Sequence, residues 1–390
     1  MESFSLFIFA TIAVLALGFI VGRSARSRSD SATRSIPARD YFQGLNHLLN
    51  ERPDLAIDTF IEALPVDDET IDTHLALGTL VRRRGEVDKA IRIHQNVLER
   101  RNLTRENRVQ AQLELARDYL QAGLHDRAEF ILEDLVHKVE VRQIALGHLL
   151  EIYQRERDWE RAEEIGQRLL ERDGGNTRMA LAHFLCERCD ESLMKREFDQ
   201  ARGFIERAAG YQNCFRVALT FARVEFEAQN YREALRHLLA AQTMRPELAS
   251  ETLELFRDAC KALGAKAEYV DFLERAVEDH PETRLVDELA AVKADEEGSE
   301  SAMKFLGTQL MRRPSLGGLS RLIKEYELAK GDIPLSEMRS VRAYTESLIS
   351  SRPRYRCQNC GFSGRLLFWQ CPSCRLWESL RLVREFDEPL

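Results

Sequence analysis

Apolar residues follow two patterns along this chain of 390 residues. From Phe4 to Gly22, FSLFIFATIAVLALGFIVG, they run unbroken by any charge. From about Ala38 onward they recur at helical spacing, in blocks separated by short polar or glycine-containing breaks. The first pattern predicts a helix that is apolar on every side. At about 1.5 Å per residue it would reach roughly 28 Å, close to the ~30 Å hydrocarbon thickness of a bilayer. A cleaved signal peptide is the rival reading. Against it, no Lys or Arg precedes the run, the run is long, and no clean small-x-small cleavage motif follows. The expectation is a retained transmembrane anchor over residues 1–22. Arg23, Arg26, Arg28, Arg34 and Arg39 follow at once, which places the bulk of the chain on the cytoplasmic side. Residues 23–37, rich in Ser and Arg, read as a juxtamembrane tether.

The second pattern repeats about every 34 residues. Aligned on an alanine in each second helix, the chain gives Ala56, Ala90, Ala128, Ala162, Ala201 and Ala234, at steps of 34, 38, 34, 39 and 33. Small and bulky residues fall around these alanines in a common order. Gly44, Phe60 and Ala63 mark the first unit, Leu77, Gly78 and Gly85 the second, and Ala222, Tyr231, Leu238, Ala241 and Pro246 the sixth. Gly264, Leu273, Ala276 and Pro281 mark a seventh, and Ala290, Ala302, Leu306 and Pro314 an eighth. A last helix pair is expected over Leu316 to Ser350, broken near Gly331 and Pro334. The period is that of a tetratricopeptide helix-turn-helix unit. The predicted fold is therefore all-α: a tetratricopeptide-type helical solenoid over residues 38–351, of about nine helix pairs, with a groove suited to a peptide or a partner helix. The irregular steps leave room for a solenoid of less regular hairpins.

Charge and candidate chemistry narrow the function. Net charge is −8, which argues against a protein-wide nucleic-acid footprint. No phosphate-cradling glycine loop, GxSxG or HExxH occurs, so nothing points to an enzyme, and no partner-binding residue is marked. Cys186 and Cys189 form a CxxC in the first helix of the fifth unit. They read either as a redox pair or half a metal site, perhaps with Cys214, or as small residues packed at a helix crossing. The second reading is favoured, and Cys260 is read the same way.

The last four cysteines are different. In YRCQNCGFSGRLLFWQCPSC, residues 355–374, Cys357, Cys360, Cys371 and Cys374 form two CxxC pairs separated by ten residues. Two such knuckles facing each other make a tetrahedral four-sulfur cage for one structural metal ion, zinc or iron. Gly361 suits a turn of positive φ, and Pro372 stiffens the second knuckle. A module over residues 352–385 is too short to bury its own core. Phe362, Phe368, Trp369 and Trp377 are expected to pack around the metal and against the last helices. Seven arginines in and around the module keep a nucleic-acid role as a minority reading.

The anchor, the repeats and the terminal YRCxxCGFxGRxLFWQCPSCRxW together resemble the lipopolysaccharide assembly protein B family of Gram-negative bacteria over essentially the whole chain. The residues that carry the resemblance are Tyr355 to Phe362, Trp369, Cys371, Pro372, Cys374, Arg375 and Trp377, with residues 38–64 at the first repeat. The cysteine module also resembles rubredoxin. It departs at Arg375, where Gly is usual, and in its shorter inter-knuckle segment, which favours a structural metal over electron transfer. The resemblance implies a non-enzymatic adaptor in the inner membrane, single-pass, that restrains lipopolysaccharide synthesis by promoting FtsH-dependent degradation of the lipid A deacetylase LpxC. It also implies an inner-membrane regulator of the YejM (PbgA) type as antagonist. A generic envelope-assembly scaffold without a proteolytic role is the alternative.

Overall fold

The computed structural model describes His47 and residues 70–170, 176–312, 316–329 and 336–383. The expected anchor, the tether and nearly all of the first repeat, Ala56 included, lie outside the described residues. Among those described, no helix is long and apolar enough to cross a membrane.

Among the described residues eight helix pairs follow one another. They are α1 (Ile71–Arg83) with α2 (Val87–Leu98), α3 (Arg105–Gln121) with α4 (His125–Leu135), and α5 (Arg142–Glu156) with α6 (Trp159–Leu170). Next come α7 (Asn176–Met194) with α8 (Phe198–Tyr211), α9 (Phe215–Glu227) with α10 (Tyr231–Met244), and α11 (Ala249–Leu263) with α12 (Lys266–Asp279). The last are α13 (Thr283–Glu297) with α14 (Ser299–Arg312) and α15 (Leu316–Ala329) with α16 (Ser336–Ser351). Both long alanine steps fall on units whose first helices are the longest described, α3 at 17 residues and α7 at 19. The irregular spacing is therefore extra helix, and the pairing survives it.

The alanines sit where the packing demands small side chains. Ala90, Ala128, Ala162, Ala201 and Ala234 are all fully buried on second helices. In six successive hairpins one residue with positive φ closes the first helix: Gly85, Gly123, Arg157, Arg196, Gln229 and Gly264. The next amide then reaches back five residues to a carbonyl of that helix, as Leu124 N does to Tyr119 O (2.9 Å) and Asp158 N to Tyr153 O (2.9 Å). This Schellman geometry ends one helix and aims the chain into the next.

The described residues form two compact units, one up to His148 and one from Leu149 onward. In the first, Leu77, Val81, Ala90 and Ile93 pack as one apolar cluster. Beside it lies a buried ionic network: Arg82 bonds Asp118 (2.8 Å) and Glu114 (2.6 Å), and the His94 ring bonds Asp118. Gly78 makes room for it, because a Cβ there would stand 2.4 Å from His94 Nε2. Burial alone would raise the Glu114 carboxyl, but Arg82 and Arg117 outweigh it and hold the group below the usual carboxylate range.

In the second unit one large core runs through α9 to α14 and includes Tyr355, Cys357, Cys371 and Leu380 of the terminal module. That module is a three-stranded antiparallel sheet of order β2-β1-β3, with β1 Tyr355–Cys357, β2 Ser363–Gly364 and β3 Leu380–Leu382.

Candidate metal centre

The two knuckles share one backbone design. Gly361 N donates to Cys357 O (3.0 Å), and Arg375 N donates to Cys371 O (2.9 Å). Gly361 and Arg375 occupy the same place after their second cysteines and both have positive φ, 76° and 61°. Arg375 thus adopts the conformation for which glycine is the usual choice. Strand β1 delivers Cys357, and Cys357 N donates to Phe362 O (2.7 Å) to fold the first knuckle back on itself. Gln358 N donates to Ser379 O (2.9 Å) and ties the first knuckle to the segment after the second.

All four predicted cysteines come together, their sulfurs within 4.8 Å of one another. Cys357 and Cys374 Sγ are 3.6 Å apart, as are Cys360 and Cys371 Sγ. A tetrahedral zinc with sulfur bonds of about 2.3 Å needs sulfurs about 3.8 Å apart. The cage therefore fits one four-coordinate ion, and four protein thiolates leave no open position, the mark of a structural site. Burial works to raise the Cys357 thiol, yet the Ser379 hydroxyl at 3.3 Å and the Cys360 and Asn359 amides hold it down at about 6. The Phe362 amide lowers Cys360. Burial pushes Cys371 up to about 11, so a metal must displace that proton.

The two tryptophans, expected against the last helices, reach middle helices of the array. Trp377 stacks on His183 of α7 (centroids 4.5 Å apart) and meets Phe184 edge-on (5.9 Å). Trp369 lies against Phe215 of α9, with the Arg216 guanidinium over its ring (5.5 Å). Phe362 and Phe368 meet each other edge-on within the module. Polar contacts extend the same footing. Tyr355 donates to Glu251 (2.6 Å), Arg354 bonds Ser250 and Glu282 (both 2.6 Å), and Gln370 donates to Gln154 (2.9 Å). The module is seated on middle units of the array, a placement that sequence reasoning missed. The only available signal was an excess of aromatic and arginine side chains on a module too small to bury them.

The other cysteines are accounted for singly. Cys186 and Cys189 are fully buried in a cluster with Ala201, Ile205 and Val217, and burial pushes both thiols up to about 12. Such thiols are inert at neutral pH. Cys260 is buried in the large core and raised to about 11, again by burial. Cys214 does not join Cys186 and Cys189 in a metal-binding group; it lies with His183 and Glu378.

Fold and site together define a helical-repeat protein carrying a rubredoxin-type metal clip. Residues 355–381 match the model of the rubredoxin metal binding domain. The chain is 36% identical to lipopolysaccharide assembly protein B of Escherichia coli strain K12 over 377 residues, 95% of this chain and 96% of that one. It is 31% identical to the protein of the same name from Haemophilus influenzae over 392 residues, 97% and 98% of the two chains. This chain belongs to the lipopolysaccharide assembly protein B family. A tetratricopeptide repeat protein from Parabacteroides merdae overlays with a TM-score of only 0.29 at 14% identity, covering 79% of this chain and 99% of that one. The repeat assignment therefore rests on the helix pairs themselves.

Proposed function

We propose that this chain is a membrane-anchored, non-catalytic adaptor in lipopolysaccharide assembly, and that it promotes degradation of the deacetylase LpxC by the protease FtsH. The observation that carries the lipopolysaccharide role is similarity along almost the entire length of relatives named for lipopolysaccharide assembly. The degradative step rests on the family resemblance alone. Helical repeat arrays are physically suited to the task, since each presents an extended surface to protein partners. Anchoring through residues 1–22 would confine adaptor and protease to one inner membrane, so a contact of modest affinity would suffice. A YejM-type regulator is the proposed antagonist. In this reading the metal is structural, with zinc the better fit to a closed four-thiolate cage, and its task is to hold the module on the array.

The test is to deplete the protein in its own host and follow the LpxC half-life. A clear lengthening, restored by the wild-type chain and not by Cys371→Ser, supports the adaptor. An unchanged half-life removes the degradative step and leaves a scaffold for envelope assembly, whose partners co-purification would then identify.

A further inference from the structure

At the seat of the terminal module three metal-ligating side chains from three separate elements converge. His183 comes from α7, Cys214 immediately precedes α9, and Glu378 lies just before β3 in the module. One donor atom of each lies within 4.8 Å of the others, and His183 Nε2 is 3.5 Å from Glu378 Oε1. Two of these atoms, His183 Nε2 and Glu378 Oε1, are buried and face only each other, at the limit of hydrogen-bond length. Buried nitrogen and carboxylate oxygen so weakly paired are costly, and more so when charged. Polar atoms of three chemistries aimed at one point therefore need an explanation that packing does not supply.

We propose that His183, Cys214 and Glu378 form a second divalent-metal site, with zinc the fitting ion, which clamps the module to the repeat array. The set of one imidazole, one thiolate and one carboxylate suits a borderline ion such as zinc and leaves one position for water. Thiolate and carboxylate together neutralise the ion's two charges. Burial keeps His183 neutral, the form that binds metal. On binding, the Cys214 thiol loses its proton to solvent, and the ring proton of His183 must reside on Nδ1. Arg216 Nη1 now lies 3.3 Å from Nδ1 and has to turn away. Its Nη2 is anchored by Glu187 (2.7 Å) and Asp190 (3.5 Å), so the guanidinium would pivot about that end. This ion would be held by both array and module, whereas the four-cysteine cage draws every ligand from the module alone.

The experiment is metal stoichiometry on the purified full-length chain, prepared under reducing conditions with zinc supplied, beside Cys214→Ser and Glu378→Gln. Two zinc ions per wild-type chain, falling to one in either variant, are expected. Cobalt substitution adds a readout of ligand type. The tetrathiolate cage gives intense sulfur-to-metal charge transfer, and the second ion, with one thiolate, a weaker band that Cys214→Ser removes alone. One zinc per wild-type chain, lost in Cys371→Ser, would overturn the proposal. So would a second equivalent that persists unchanged in Cys214→Ser.

Discussion

Arg375 is a residue in a glycine's place. A side chain at positive φ costs about 1–2 kcal/mol, and the flexibility of glycine in the unfolded chain returns about 0.5–1 of that. Arg375→Gly should therefore stabilise the module by up to ~1 kcal/mol, read as slower metal loss to a chelator; faster loss would mean that the exposed arginine has a role of its own. Gly78 and Gly147 make a sharper pair. Alanine at Gly78 would drive a methyl into His94 and prise it from Asp118, at a cost of about 1–3 kcal/mol. Alanine at the exposed, helical Gly147 meets nothing and should add about 0.5–1 kcal/mol. Thermal melts of both variants test the contrast. Glu114 sets a pH dependence. Its carboxyl is depressed in the fold, so its contribution is present above the unfolded value of about 4.3. It is lost as pH falls through the lower, folded value. Acid titration of wild type against Glu114→Gln should show the wild type losing its advantage below that point.

At the scale of elements, the repeat was legible because its two demands are local. A small residue must sit at the helix crossing, and a left-handed residue must close the hairpin five positions before it. Gly85 precedes Ala90, and Gly123 precedes Ala128, by that interval. Arg157, Arg196 and Gln229 keep the conformation before Ala162, Ala201 and Ala234 without the glycine, so the turn could not be seen there and only the alanine spoke. After Gly264 the same position holds Tyr269, so the seventh unit shows its turn glycine without the alanine. The space an alanine would leave is filled by Tyr269, Phe256 and Phe272, with Tyr269 donating to Glu288 (2.8 Å). Tyr269→Ala would make the sequence look more regular, yet it should cost about 3–5 kcal/mol, measurable by urea unfolding. The four-cysteine cage was legible for a similar reason, since spacing within one short segment sets it. The footing of the module was not, because nothing near Trp377 in sequence names His183.

For the whole molecule, the clip and the array share one core, so metal loss should be felt beyond the cage. Chelation, or Cys371→Ser, should free Trp369 and Trp377 from Arg216 and His183. Their fluorescence should change, and residues 352–383 should open to protease while helical circular dichroism stays almost intact. A protease pattern identical to wild type would show that the module holds its seat without metal. The polar footing can be loosened by itself. Tyr355→Phe leaves the ring in place and Glu251 still paired with Arg354 (3.0 Å), and about 1 kcal/mol of docking should go with the hydroxyl.

Gln370 reaches back 216 positions along the chain to Gln154, and Arg354 reaches back 104 to Ser250. During synthesis the helix pairs emerge and can fold one at a time, each on the one before. The clip follows the whole array in sequence and is made after it. Its seat on α7, α9 and α11 must wait, uncovered, until the module has followed. A chain that stops short of Tyr355 would keep its repeats and never cover that seat, whereas one that runs past Leu382 closes it as soon as metal is at hand. Closure of the seat thus records that translation passed through the second knuckle.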